Sequence, residues 1–136
     1  MKVLFDTNVI VDLLLEREPH AHDAAKLFSR ADAGKIDGLI CATSVTTVHY
    51  LCHRSLGRAG ARRALAALLS MLEIAPINRT VVDSALSSKV TDFEDAVISE
   101  AARHAGADVV VTRNARDFRK SSVPTHTPTE LIAMTG

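Results

Sequence analysis

Asp6 closes the short apolar run Val3-Leu4-Phe5, and the pair Asp92 and Asp95 lies most of a domain further along. In a parallel α/β sheet, ligands bind beyond the carboxyl ends of the strands, which is where Asp6 would stand. Asp92 and Asp95 are three apart and would share one face of a helix. Carboxylates gathered in one crevice repel each other unless a cation neutralises them, so their convergence would make a divalent-metal site. Each also has a plain structural explanation. Asp6-Thr7-Asn8 is all helix-capping chemistry, and Asp92 with Asp95 is close to a capping box at the positive end of a helix. A third segment, Thr112 to Phe118, places Asn114 and Asp117 after another strand, as metal or water ligands or as an ordinary Asx turn. The case for chemistry is that three separate segments each bring acids or amides to a strand terminus or a helix start.

Positioning them is the task of alternating short strands and helices. Lys2 to Phe5 reads as a strand, followed by a helix capped by Asn8 and running to Glu16. Pro19 interrupts it, and a second helix covers His20 to Ala33 before Gly34. Leu39 to Ala42 is a strand; Thr43 or Ser44 caps a helix to Leu56 that Gly57 ends, and Ala61 to Met71 is another helix. Ile74 to Ile77 reads as a strand, and Asn78 to Ser87 as a short helix capped by Asn78 or Thr80. Asp92 opens a helix to His104, in which Glu94 would face solvent or an arginine. Val109 to Thr112 is β-branched and uninterrupted, as suits a strand buried on both faces. Thr127-Pro128-Thr129-Glu130 is a strong start signal for a last helix through Met134. The alternation predicts an α/β domain, residues 1–136, with a mainly parallel sheet.

Composition narrows the function classes. The 136 residues carry zero formal net charge, so no overall electrostatic grip on nucleic acid is expected, only a local one. No signal peptide and no membrane-length apolar run is visible, so the expected location is the cytoplasm. The two cysteines, Cys41 and Cys52, read as buried thiols rather than catalysts. His49/His53 and His20/His22 lack an acid or cysteine in register and do not make a zinc motif. Arg58, Arg62 and Arg63 form one basic cluster, read as a solvated helix face; Arg113, Arg116, Arg119 and Lys120 form a second beside the third segment. That second cluster would hold phosphates or simply balance Asp117 and its neighbours.

Taken in order, Phe5-Asp6-Thr7-Asn8, Asp92-Phe93-Glu94-Asp95-Ala96 and Thr112-Arg113-Asn114-Ala115-Arg116-Asp117-Phe118 resemble a PIN domain, a family that includes the VapC-type toxins of bacterial toxin–antitoxin pairs. The resemblance implies a PIN-like three-layer fold, a small sheet flanked by helices, and a Mg²⁺- or Mn²⁺-dependent endoribonuclease acting on RNA phosphodiesters. It further implies a homodimer and, for toxin members, an inhibitory antitoxin protein. Asp6 and Asp95 match the family's principal metal ligands; Asp92 is the neighbouring acid, and Asn114 and Asp117 match its variable last acidic region. Thr7, Asn8, Thr112, Arg113 and Arg116 are the expected support and substrate-positioning residues. One departure stands out: the helix from Ser44 to Leu56 contains no acid where PIN domains usually carry a glutamate, and Thr47 takes that place. A hydroxyl does not supply the missing charge, so the alternative is a weak or inactive PIN-fold module that binds RNA or protein.

Overall fold

The computed structural model describes residues 1–135 and contains five strands in one sheet. Strand β1 (Lys2–Phe5) pairs in parallel with β2 (Asp37–Cys41) on one side and β4 (Val109–Val111) on the other. β3 (Leu72–Ala75) lies outside β2, and β5 (Thr125–His126) outside β4, giving the order β3-β2-β1-β4-β5 with every pair parallel. The six helices are α1 (Thr7–Leu14), α2 (His20–Asp32), α3 (Ala42–Leu69), α4 (Arg79–Leu86), α5 (Phe93–His104) and α6 (Pro128–Thr135).

Strand periodicity sorts the core into two layers. Val3, Phe5, Val109 and Val111 face α1, α2, α3 and α6, where Val9, Ile10, Leu27, Phe28, Val48 and Leu131 bury. Leu4 and Val110 point the other way and pack with Ile98, Ala101 and Ala102 of α5 and Val81 of α4. Both faces of β1 and β4 are therefore covered, which is why their sequences are continuously apolar rather than alternating. The connections from β1 to β3 build outward on one side of β1. The chain then returns past β1 to add β4 on the other side. Strand order reverses between β1 and β4, and the ends of these two strands flank the resulting crevice.

Several boundaries differ from those read in the sequence. The cap of α1 is Asp6, not Asn8: its backbone is extended and its side chain accepts from the Thr7 N–H. Cys41 stands at the cap position of α3 without a side-chain cap bond, in place of Thr43 or Ser44. Gly57 does not end a helix but joins two helical stretches at a kink, with φ +74°. A Cβ at Gly57 would meet nothing within 4 Å, so the glycine is required by its backbone conformation alone. At Gly38 the need is space, because a Cβ would run into the Leu72 side chain across β2 and β3. β3 lies two residues before the expected Ile74–Ile77. The segment after β4 forms a single 3-10 turn, Ala115–Phe118, in place of a simple Asx turn. Thr127 and Glu130 make the expected reciprocal cap: the Thr127 N–H donates to the Glu130 carboxylate at 2.8 Å, and the Glu130 N–H to the Thr127 hydroxyl at 3.2 Å.

Candidate active site

Asp6 is 7 % exposed and held from two sides. Its Oδ1 accepts the Thr7 N–H at 2.8 Å, and its Oδ2 accepts the Thr112 hydroxyl at 2.8 Å. Its own N–H donates to Val111 O at 2.9 Å, extending the pairing of β1 with β4 by one residue. Burial pushes the Asp6 carboxyl above the usual carboxylate range, against the hydrogen bonds from Thr112 and Thr7 and the charge of Arg113.

Thr112 is the hub. Fully buried, it donates to Asp6 while its hydroxyl accepts the Asn114 N–H at 3.0 Å and the Asn8 side-chain amide at 3.4 Å. Asn8 also accepts the Arg113 N–H at 3.3 Å, so α1 is laced to the chain leaving β4. Thr7 donates its hydroxyl to Ser44 Oγ at 2.9 Å, tying the same corner to α3.

Asp92 caps α5, accepting the Asp95 N–H at 3.0 Å, so the structural explanation of this pair is realised. It does not account for Asp95 itself. That half-buried carboxyl is pushed up to about 7, first by burial and then by the negative charges of Asp6, Asp92, Asp117 and Glu94. Four carboxylates from three chain segments thus act on one group. Two cavities meet at Asp92 and Asp95. One, of about 350 Å³, is lined by Asp6, Thr7, Asn8, Arg17, Leu51 and Glu94 besides the shared pair. The other, of about 580 Å³, adds Lys89, Arg116, Asp117, Arg119 and Lys120.

Most of the expected site residues come together here: Asp6, Thr7, Asn8, Asp92, Asp95, Asp117 and Arg116 line the two cavities, and Thr112 supports them from below. Three do not. Asn114 is exposed and lines neither cavity; its backbone N–H, not its side chain, engages Thr112. Arg113 is committed elsewhere, its Nε donating to Asp12 Oδ2 at 2.6 Å. Thr47 is half-buried on α3 between Ser44 and Leu51, and its side chain makes no hydrogen bond among the described residues. The sequence reading missed Asp12, which is 1 % exposed and clamped by Arg113 and by Arg17 at 2.9 Å. Its signal was present: an acid between Val11 and Leu13 in a short amphipathic helix must be paired if it is buried. Ser44, read from the sequence only as a cap, is the α3 residue that touches the site corner, and Glu94, exposed as expected, also lines the crevice.

The donor set is hard oxygen, which fits Mg²⁺ or Mn²⁺ rather than zinc. As the side chains stand, no three acids, histidines or cysteines among the described residues close on a single point. The raised Asp95 carboxyl gives the test of fit: burial and four neighbouring carboxylates all disfavour its charge, and a divalent ion would relieve them.

Fold and site together define an α/β domain with a carboxylate cluster at the point where strand order reverses. The family described as PIN domain matches residues 2–116, and the chain belongs to it. Among solved structures, a toxin–antitoxin complex from Klebsiella pneumoniae is similar at 24 % identity and TM-score 0.70, covering 93 % of this chain and 97 % of that one. FitAcB from Neisseria gonorrhoeae is similar at 18 % identity and TM-score 0.71, with 93 % and 98 % covered. VapC20 from Mycobacterium tuberculosis, described as a sarcin–ricin loop cleaving toxin, gives 17 % identity and TM-score 0.63, with 79 % and 86 % covered. At these identities the likeness establishes the shared fold. No curated protein matches the sequence.

Proposed function

We infer that this chain is a divalent-metal-dependent endoribonuclease, a single domain over residues 1–136 that serves as the toxin of a toxin–antitoxin pair. The observation that carries the reading is Asp95, a half-buried carboxyl facing Asp6, Asp92, Asp117 and Glu94 at the crevice between β1 and β4. Asp6 and Asp95 would hold the cation, with Asp92 and Asp117 assisting. Such an ion lowers the pKa of a bound water and neutralises charge on phosphoryl oxygens.

The protein's own contribution is arrangement. Thr112 and the Thr7 N–H fix both oxygens of Asp6 before any ligand arrives, so little reorganisation remains to be paid. Asn8 and Ser44 hold Thr112 and Thr7 in turn. Arg116, exposed on the wall of the larger cavity, is available to a phosphate. The kinship of the fold with proteins described as toxin–antitoxin complexes supports an antitoxin partner, and a homodimer is the expected assembly. Among the described residues no helix is long and apolar enough to cross a membrane.

A second reading is favoured by one observation. The α3 side chain at the site corner is Ser44, and Thr47 follows it, so this helix brings hydroxyls and no acid. A PIN-fold module that binds RNA or a protein without turnover fits that loss. Calorimetric titration with Mg²⁺ and Mn²⁺, run beside cleavage of a structured RNA pool, separates the two. Binding and cleavage that both disappear in Asp95→Asn support the nuclease. Metal binding without cleavage favours the module, and no metal binding by the wild type overturns the metal site.

A further inference from the structure

The larger cavity is unlike the smaller one in charge. Lys89, Arg116, Arg119 and Lys120 converge on it, and none of them is ion-paired among the described residues, although Asp92, Asp95 and Asp117 line the same space. Among the described residues the only cation lining the smaller cavity is Arg17, whose guanidinium already binds Asp12.

The basic wall is held in place. Phe118 is buried at the end of the 3-10 turn, and Ser121 hydrogen-bonds Ser99 in the middle of α5. Arg119 and Lys120 lie between these two anchors. Ser121 closes the turn by donating its N–H to Phe118 O at 2.8 Å and accepting the Val123 N–H at 3.1 Å. On the facing side, Lys89 sits between Ser88, which accepts the Val90 N–H at 3.1 Å, and the buried Val90. Four cations thus project from two anchored segments, one before α5 and one after β4, onto a space bordering the acids.

We propose that Lys89, Arg116, Arg119 and Lys120 form a one-sided backbone subsite, which grips RNA phosphates on one side of the scissile bond only. The proposal rests on the nuclease reading and adds where the substrate is held. Among the described residues no aromatic side chain lines this cavity, so recognition runs through phosphate charge rather than base stacking, and tolerates sequence.

The test is binding of a short fluorescent single-stranded RNA by the full chain in EDTA, as anisotropy against salt concentration. Lys89→Ala/Arg119→Ala/Lys120→Ala is compared with the charge-matched control Arg58→Ala/Arg62→Ala/Arg63→Ala, on the exposed far stretch of α3. Each lost phosphate contact flattens the log–log salt slope by about 0.7, so the subsite variant should lose about 2 in slope while the control keeps the wild-type value. Equal slopes in wild type and subsite variant, or an equal fall in the control, overturn the subsite and leave the nuclease reading standing. A wild type that binds no RNA at any salt overturns the subsite, and the nuclease reading is then decided by metal-dependent cleavage alone.

Discussion

The Thr112 hydroxyl donates to Asp6 Oδ2 at 2.8 Å, joining the ends of β4 and β1 across 106 residues of chain. Thr112 is also an acceptor for Asn114 and Asn8, so one hydroxyl stands between three elements. Thr112→Val keeps the shape and removes the oxygen, leaving the Asn114 N–H and a buried Asp6 oxygen short of a partner. The expected loss is about 1–3 kcal/mol in urea denaturation. A stability equal to wild type would show the hydroxyl to be dispensable.

Asp12 gives a second, independent expectation. It is buried and held by two arginines, of which Arg17 and Arg113 are 42 % and 30 % exposed. Asp12→Asn weakens both charged hydrogen bonds, but the arginines can turn toward water, which moderates the penalty. We expect a loss of about 2 kcal/mol, below the cost of stranding a wholly buried charge. Equilibrium denaturation of Asp12→Asn measures it.

The pH dependence follows from Asp95. Its folded carboxyl titrates at about 7 against 3.8 for an unperturbed aspartate, so between those values the folded protein keeps a proton that the unfolded chain has released. By linkage, metal-free stability falls as pH rises through that window, and the raised Asp6 carboxyl adds in the same direction. Melting in EDTA should therefore give a lower Tm at about pH 8 than at about pH 5. Added Mn²⁺ should narrow the gap. A Tm that rises with pH would contradict the carboxylate cluster.

Asp95→Asn separates repulsion from function. Without the charge, the metal-free protein at about pH 8 should melt above wild type, since four other carboxylates no longer oppose it. The same variant should lose the Mn²⁺-induced rise in Tm. If it gains that rise undiminished, Asp95 is not a ligand.

Thr47→Glu places a carboxylate on the α3 face that carries Ser44 and Leu51, the latter a wall of the acidic cavity. The expected result is tighter Mn²⁺ binding by calorimetry together with a lower metal-free Tm. Unchanged affinity would mean that the face of α3 at Thr47 does not reach the ion.

How far the sequence could be read depended on whether local chemistry alone decided the element. Lys2–Phe5, the Asp92 and Asn78 caps and the Thr127/Glu130 capping box were legible because each is a contiguous pattern. β5 was not legible, because Thr125–His126 is a strand only through pairing with Val110 and Val111. Gly57 carries the same local signal whether a helix stops there or bends and resumes, and packing decides. At the site, the motifs located the acids, but Arg113 looked like a substrate contact until its partner Asp12 was found on another element.

The order in which the strands enter the sheet has a consequence for biosynthesis. β1 is made first and stays open at one edge until Val109–Val111 has emerged from the ribosome. Before that point Asp6 has neither Thr112 nor the backbone of Val111 to hold it, and the wall carrying Arg116 and Asp117 does not exist. A chain cut before Val109 therefore lacks the crevice altogether. The crevice is thus assembled last, once Thr112 and the turn behind it have folded against β1.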